Sequence, residues 1–251
     1  MASRTLGRIG LSVVLVVILL MATGAFADAA APKVEPPITS VVAAKVVPVK
    51  VIVEKVFEAK KADRQVVIIT DLKGEFRASG FYTGKDTVVT AYHVTMNNAP
   101  RGPFGYSMGE DESIEHLLVK DKLGKVALGT VTYRDKKQDF AIIVLSKNKL
   151  SIKAVTLAVS PPNRGDELFV VGHPYRFRFS LSKGYLMHTT HTNKDGEIRG
   201  LASMAGTFGM SGSPVYNSAG EVVGITSAIF SVGDGMLFIP VSVWKDKLDA
   251  K

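Results

Sequence analysis

Three stretches of this sequence carry side chains that do chemistry together. Val88-Val-Thr-Ala-Tyr-His-Val94 runs as a strand into a short turn and delivers a histidine. Gln138-Asp-Phe-Ala-Ile-Ile-Val-Leu145 sets an aspartate at the head of an apolar strand. Gly209-Met-Ser-Gly-Ser-Pro-Val-Tyr216 holds a serine in a glycine-rich turn, and Gly220-Glu-Val-Val-Gly-Ile-Thr-Ser-Ala228 follows it. A neutral serine hydroxyl is a poor nucleophile and needs a base beside it. Histidine is that base, because it titrates near neutrality. The imidazole in turn needs a partner that fixes its tautomer and stabilises the imidazolium. His93, Asp139 and Ser211 are the candidates for base, orienting acid and nucleophile.

Rival chemistry is poorer. The esterase pattern Gly-x-Ser-x-Gly fails at Ser213. Ser-x-x-Lys occurs at Ser146/Lys149 and Ser180/Lys183, without the companion motifs such enzymes need. His188-Thr-Thr-His191 lacks the glutamate of a zinc helix. On a strand its odd spacing sends the two rings to opposite faces, so no metal is expected. His116 and His173 read as surface and loop residues. There is no phosphate-binding glycine loop and no dinucleotide fingerprint, so no cofactor is expected.

The elements that must position the three side chains are mostly strands. Val66–Thr70, Glu75–Thr83, Thr87–Thr90, Val126–Tyr133 and Phe140–Leu145 form a first set. Glu167–Val171, Gly184–Thr190, Val222–Phe230 and Met236–Val241 form a second, after the loop Ser160-Pro-Pro-Asn-Arg-Gly165. Asp195-Gly196 marks a hairpin turn. The one convincing helix is at the C-terminus, over Val241–Lys251. Many short strands at this spacing predict barrels or sandwiches.

With 251 residues, 46% hydrophobic and 22% charged, the chain is globular in composition. It has no cysteine, which excludes disulfides, thiolate metal sites and a cysteine nucleophile. The net charge of +8 is scattered, with no dense run or aromatic interleaving, so no nucleic-acid partner is expected.

The N-terminus reads as an export signal. Arg4 and Arg8 precede the apolar run Leu11–Leu20, and Ala25-Phe-Ala27 fits a signal-peptidase site, so cleavage is expected after Ala27. The alternative is an uncleaved anchor over Ile9–Ala27, weakened by Gly10, Ser12, Thr23 and Gly24. It would be the only tie to a membrane. Residues 28–63 read as an Ala/Pro/Val-rich linker or N-terminal arm, with three prolines between 32 and 37 enforcing extension.

The ordered motifs resemble the chymotrypsin-fold (trypsin-like) serine proteases, most of all the bacterial branch of Deg/HtrA proteases and glutamyl endopeptidases. Thr90-Ala-Tyr-His93 is similar to the family's Thr-Ala-x-His, Asp139-Phe-Ala-Ile to its Asp-Leu-Ala-Leu, and Gly209-Met-Ser-Gly-Ser-Pro214 to Gly-Asn-Ser-Gly-Gly/Ser-Pro. The order His, Asp, Ser is that of the family. Arg164–Pro174 and Gly220–Ile225 resemble two further family segments. The resemblance covers about residues 64–243. It implies an all-β double six-stranded barrel with a short C-terminal helix. The protease domain would occupy 64–251, with barrels over about 64–160 and 161–243 and the site in the cleft between them.

The resemblance also implies roles. The backbone N–H groups of Gly209 and Ser211 would form the oxyanion hole. Ala205, Gly206 and Thr226 would line the specificity pocket, and Ser227, Ala228 and Ile229 would pair with the substrate backbone as an added strand. No acid lines that pocket, and Thr226 stands where glutamyl endopeptidases have a histidine. A small apolar side chain before the cut is therefore expected. Met210 replaces the aspartate of the animal digestive enzymes, so their ionic zymogen switch is not expected. Asn97–Ser113 reads as a long irregular loop, and no C-terminal peptide-binding domain is expected. The implied function is an exported serine endopeptidase, secreted or periplasmic, acting on protein or peptide substrates. The alternative is a protease-fold binding protein with little or no turnover. Neither substrate nor oligomeric state follows from the sequence.

Overall fold

The computed structural model describes residues 57–97, 112–229 and 235–248. The export segment, most of the N-terminal arm and most of the Asn97–Ser113 loop lie outside these residues. Strands β1 (Val66–Thr70), β2 (Phe76–Gly84), β3 (Thr87–Ala91), β4 (His116–Lys120), β5 (Val126–Asp135) and β6 (Phe140–Ser146) close a barrel in the order β1-β2-β3-β6-β5-β4. Strands β8 (Glu167–Gly172), β9 (Ser180–Thr192), β10 (Ile198–Ser203), β11 (Pro214–Asn217), β12 (Glu221–Ile229) and β13 (Gly235–Pro240) run β11-β8-β9-β10-β13-β12. Pairing of β11 with β12 closes this second ring. The two-residue strand β7 (Thr156–Leu157) adds in parallel to the start of β12. The expected pair of six-stranded antiparallel barrels is therefore present.

Alternation explains the apolar runs. On β1, Val67 and Ile69 point into the first barrel with Ala78, Val88, Leu117, Val119, Val131, Ile143 and Leu145. Val66 points the other way, into a cluster with Phe81, Val89, Phe140, Val171, Tyr216, Val222, Ile225, Ile239 and Trp244. That cluster draws on both barrels, so several strands are covered on both faces and read as unbroken Val/Ile runs. The second barrel has its own filling, including Leu168, Val170, Leu186, Met210, Val215 and Phe238.

One turn is used four times. Asp71–Gly74, Asp121–Gly124, Asn193–Gly196 and Asn217–Gly220 join β1–β2, β4–β5, β9–β10 and β11–β12. In each, the glycine N–H donates to the first residue's carbonyl at 3.0 Å, and the Asp or Asn side-chain oxygen accepts the N–H four residues on at 2.8–2.9 Å. The glycine has φ between +74° and +84° in every case, which a Cβ would disfavour. The hairpin expected at Asp195-Gly196 is the third of these, closed over four residues.

Helices are short: α1 (Ala59–Ala62) and α2 (Val241–Trp244), the latter continuing as a 3₁₀ turn over Lys245–Lys247. The C-terminal helix is thus shorter than Val241–Lys251. Packing reaches back beyond residue 64: Ala62 is buried, and Phe57 stacks on Phe169 with ring centroids 4.5 Å apart.

Candidate active site

Register brings His93 and Asp139 together. Strand β3 pairs with β6, Thr90 facing Ala141 and Ala91 facing Phe140. Both chains leave the pair at the same end, β3 into the 3₁₀ turn Tyr92–Thr95 and β6 back to Asp139. Tyr92 N–H donates to the Asp139 carbonyl at 3.1 Å, and His93 N–H donates to Asp139 Oδ1 at 3.1 Å. The His93 ring meets the same carboxylate, Nδ1 lying 3.0 Å from Oδ1 and 3.1 Å from Oδ2. Ser227 Oγ donates to Oδ2 at 2.5 Å.

Asp139 holds φ at +59°, an uncommon conformation for a residue with a Cβ. Burial would push its carboxyl up. Nearby His93, and the bonds from the His93 ring, the Ser227 hydroxyl and the His93 backbone, outweigh that and hold it below the usual 3.8. A carboxylate bonded at Nδ1 leaves His93 Nε2 as the basic nitrogen.

Ser211 sits on the loop between β10 and β11. Met210 fastens this loop by inserting into the second-barrel core, 3% exposed. An apolar anchor thus stands where an ionic one would need an aspartate. Gly212 N–H donates to the Thr226 carbonyl and Thr226 N–H to the Ser213 carbonyl, both at 2.8 Å. Gly212 packs against the strand that delivers His93: a Cβ there would lie 2.2 Å from Thr90 Oγ1 and 3.0 Å from Ala91 N. Gly209 has φ +98°, and a Cβ on it would meet the His173 carbonyl oxygen at 2.4 Å. Among the described residues, the N–H groups of Gly209 and Ser211 have no protein acceptor, and no hydrogen bond joins Ser211 Oγ to the His93 ring.

Of the residues expected around a specificity pocket, Ala205 is exposed and Gly206 half-buried. A Cβ on Gly206 would lie 2.6 Å from Ile229 Cγ2 and 2.8 Å from Met236 Cε. Thr226 is buried with its hydroxyl 3.7 Å from Met236 Sδ. Met236 is a neighbour the sequence did not point to. Ser227, expected only to pair with substrate backbone, also carries the hydroxyl bonded to Asp139. Ala228 and Ile229 are exposed at the end of β12.

Two expectations about histidines are corrected. His188 and His191 do not point apart: a register shift between β9 and β10 at Arg199/Leu201 brings their rings to 6.3 Å between centroids. Among the described residues, no group of three or more His, Asp or Glu side chains is gathered to hold a metal. His173 lies in the loop after β8, as expected, but is fully buried there rather than exposed. His116 is exposed on β4, as expected.

The sequence model for the trypsin-like peptidase domain matches residues 78–225. A probable periplasmic serine endoprotease, DegP-like, from Rhizobium meliloti (strain 1021) is 28% identical over 187 residues, covering 71% of this chain and 34% of its own length. A protein of the same description from Pseudomonas fulva (strain 12-X) is 29% identical over 179 residues, covering 68% and 34%. The chain thus spans about a third of the length of these relatives. Among solved structures, the serine endoprotease from Yersinia pestis superposes with a TM-score of 0.60 at 19% identity, covering 76% of this chain and 64% of the other. The active form of the Rv3671c protease from M. tuberculosis gives 0.59 at 17% identity, covering 74% and 80%. At those identities the superpositions establish the double-barrel fold alone. The family match runs from Ala78 on β2 to Ile225 on β12, more than half of the sequence, and the chain belongs to the trypsin-like peptidase family.

Proposed function

We propose that this chain is an exported serine endopeptidase that cuts peptide bonds through an acyl-enzyme on Ser211. The observation that carries the reading is the His93 ring fixed on the Asp139 carboxylate beside a serine loop whose Gly209 and Ser211 N–H groups lack protein acceptors among the described residues. His93 Nε2 takes the proton of Ser211 Oγ as that oxygen attacks the substrate carbonyl carbon. Negative charge moves to the carbonyl oxygen, which accepts hydrogen bonds from Gly209 N–H and Ser211 N–H. The imidazolium then gives its proton to the departing amine, and the C–N bond breaks. Water, deprotonated by His93, attacks the ester and frees the acid and Ser211. Asp139 keeps the imidazole in the required tautomer throughout. The missing hydroxyl–imidazole bond is compatible with this, because catalytic hydrogen bonds are often long in unliganded enzymes and tighten with substrate.

The direct test is labelling with a fluorophosphonate, which phosphonylates an activated serine with loss of fluoride. Stoichiometric labelling at Ser211 together with peptide hydrolysis supports the reading. A folded protein that binds peptides but neither labels nor cleaves them supports the binding-protein alternative.

Specificity follows from the pocket floor. Ile229 and Met236 occupy the space in front of Gly206, and neither brings charge. Peptides with Val, Ala or Leu before the cut are expected to be cleaved faster than those with Lys or Glu. Ile229→Gly is expected to raise kcat/KM for Phe at that position by about tenfold, since freed pocket volume is worth one to a few kcal/mol. A library profile dominated by basic or acidic residues would sink the assignment.

Export is supported by Arg4, Arg8, Leu11–Leu20 and Ala25-Phe-Ala27 and by the relatives' periplasmic description. Among the described residues no helix is long and apolar enough to cross a membrane. N-terminal sequencing of exported material is expected to begin at Asp28. Recovery of Met1-bearing protein in the membrane fraction would favour an uncleaved anchor.

A further inference from the structure

Ser79 lies on β2 of the first barrel, fully buried, 94 residues from His173 in sequence. Its hydroxyl donates to the Gly209 carbonyl at 2.8 Å, and its backbone N–H donates to the Ser211 carbonyl at 3.1 Å. One residue therefore grips the first and last carbonyls of the Gly209–Ser211 segment from behind, with its hydroxyl and its backbone N–H respectively. His173, at the end of β8, completes the arrangement. Its backbone N–H reaches Ser79 Oγ at 3.1 Å and its ring Nδ1 lies 2.8 Å from the same oxygen.

The protons can be placed by counting. A hydroxyl has one hydrogen, and the Gly209 carbonyl takes it, so His173 Nδ1 must carry a hydrogen and donate to Ser79 Oγ. Ser79 Oγ then accepts twice and donates once. His173 is thereby the neutral Nδ1–H tautomer, with Nε2 buried and without a partner among the described residues, its ring edge-on to Phe179 at 4.8 Å. Burial and Arg178 hold its pKa down to about 3, which keeps it neutral through the range in which a serine peptidase works.

The mechanical consequence concerns peptide planes. The Gly209 carbonyl belongs to the 209–210 plane and the Ser211 carbonyl to the 211–212 plane. Each peptide unit is rigid, and only φ and ψ turn between units. The 210–211 plane, which carries Ser211 N–H, lies between these two and is held as well by Ser213 N–H, which donates to the Met210 carbonyl at 2.9 Å, so the three planes are fixed together. This likewise limits rotation at Gly209, which without a Cβ would turn freely. The His173 carbonyl oxygen closes the space behind Gly209, where a Cβ would lie 2.4 Å away.

We propose that Ser79 and His173 are positioning residues for the oxyanion site: Ser79, oriented by His173, holds the Gly209 and Ser211 carbonyls so that both N–H groups face the substrate carbonyl. This rests on the reading of Ser211 as nucleophile. Neither residue touches substrate, so each acts on the transition state through the loop.

The test uses the full chain, a peptide p-nitroanilide ending in Val, a peptide boronic acid that forms a tetrahedral adduct on Ser211, and the matching product peptide. Ser79→Ala is expected to lower kcat about 10- to 100-fold, a part of what losing an oxyanion donor costs, with KM within about twofold. Boronate inhibition should weaken by the same factor as kcat, while product-peptide binding holds. His173→Leu should behave alike, and His173→Asn, which returns an N–H near Ser79 Oγ, should recover most of the loss. Ser79→Cys keeps the volume with a weak donor and serves if the alanine variant does not fold. Folded Ser79→Ala or Ser79→Cys with native kcat and boronate affinity would overturn the proposal and leave the peptidase reading standing. So would kcat and product binding falling in parallel, which marks a merely structural loss. A native chain that neither labels with fluorophosphonate nor hydrolyses the anilide would fail both.

Discussion

Ser211→Ala is expected to lower peptide hydrolysis by a factor on the order of 10⁴ or more while leaving the fold unchanged. The hydroxyl is the only atom removed, and it makes no hydrogen bond to the His93 ring and none to the core among the described residues. The loop is instead held by its backbone, by Met210 in the core and by Gly212 against β3. His93→Ala is expected to cost a similar factor, because serine without its base is nearly inert. Asp139→Asn is expected to cost a comparable or somewhat smaller one. Its carboxylate accepts from His93 Nδ1, from His93 N–H and from Ser227 Oγ. An amide offers one acceptor oxygen for these donors, and its NH₂ would favour the imidazole tautomer with the proton on the wrong nitrogen. The three act as one unit, so Ser211→Ala/His93→Ala should match either single variant. Turnover, fluorophosphonate labelling, circular dichroism and melting on the same samples check this. Undiminished hydrolysis by purified Ser211→Ala would remove Ser211 from the mechanism.

Local pattern made the His93, Asp139 and Ser211 motifs legible in the sequence, because each sits at the end of a strand or in a turn with its own signature. The strands that escaped notice have physical reasons for doing so. On β10, Gly200 interrupts the apolar pattern because the Phe238 ring lies over it, 2.2 Å from where a Cβ would be. Strand β11 begins at Pro214 and is four residues long. Strand β4 starts with an exposed histidine and follows a sequence stretch punctuated by Asn97, Asn98, Pro100, Gly102 and Pro103. The polar contacts that finish the site were beyond local pattern altogether. Ser227 meets Asp139 across 88 residues, and Ser79 meets His173 across 94. Such pairs are created by strand order and register, which no window of one sequence contains. The same limit hid the burial of His173 and split His188 from His191, whose strand carries a bulge that period-two alternation does not foresee.

The buried state of His173 carries the second large effect, on stability in acid. In the unfolded chain this histidine takes up a proton as pH falls through about 6.5. In the folded chain burial excludes the charge, and Arg178 opposes it further, so uptake waits until about pH 3. The unfolded state therefore binds the extra proton between those values, and stability must fall as pH falls. The contribution is complete above pH 6.5 and is lost progressively down to about 3. Its slope approaches about 1.4 kcal/mol per pH unit, and its total is at most about 5 kcal/mol. That is a large share of the 5–15 kcal/mol typical of whole domains. Asp139 works in the same direction in a lower window: its carboxyl lies below the usual 3.8, so its contribution holds above that value and is lost beneath it. The range from pH 6.5 to 4.5 therefore isolates the histidine. Urea unfolding of the native chain across that range is expected to show about one proton taken up per molecule more than His173→Asn, which cannot titrate there. Equal pH slopes for the two chains would mean that His173 protonates freely in the folded state. The buried Nδ1–H tautomer, and with it the hydrogen-bond order around Ser79, would then be wrong.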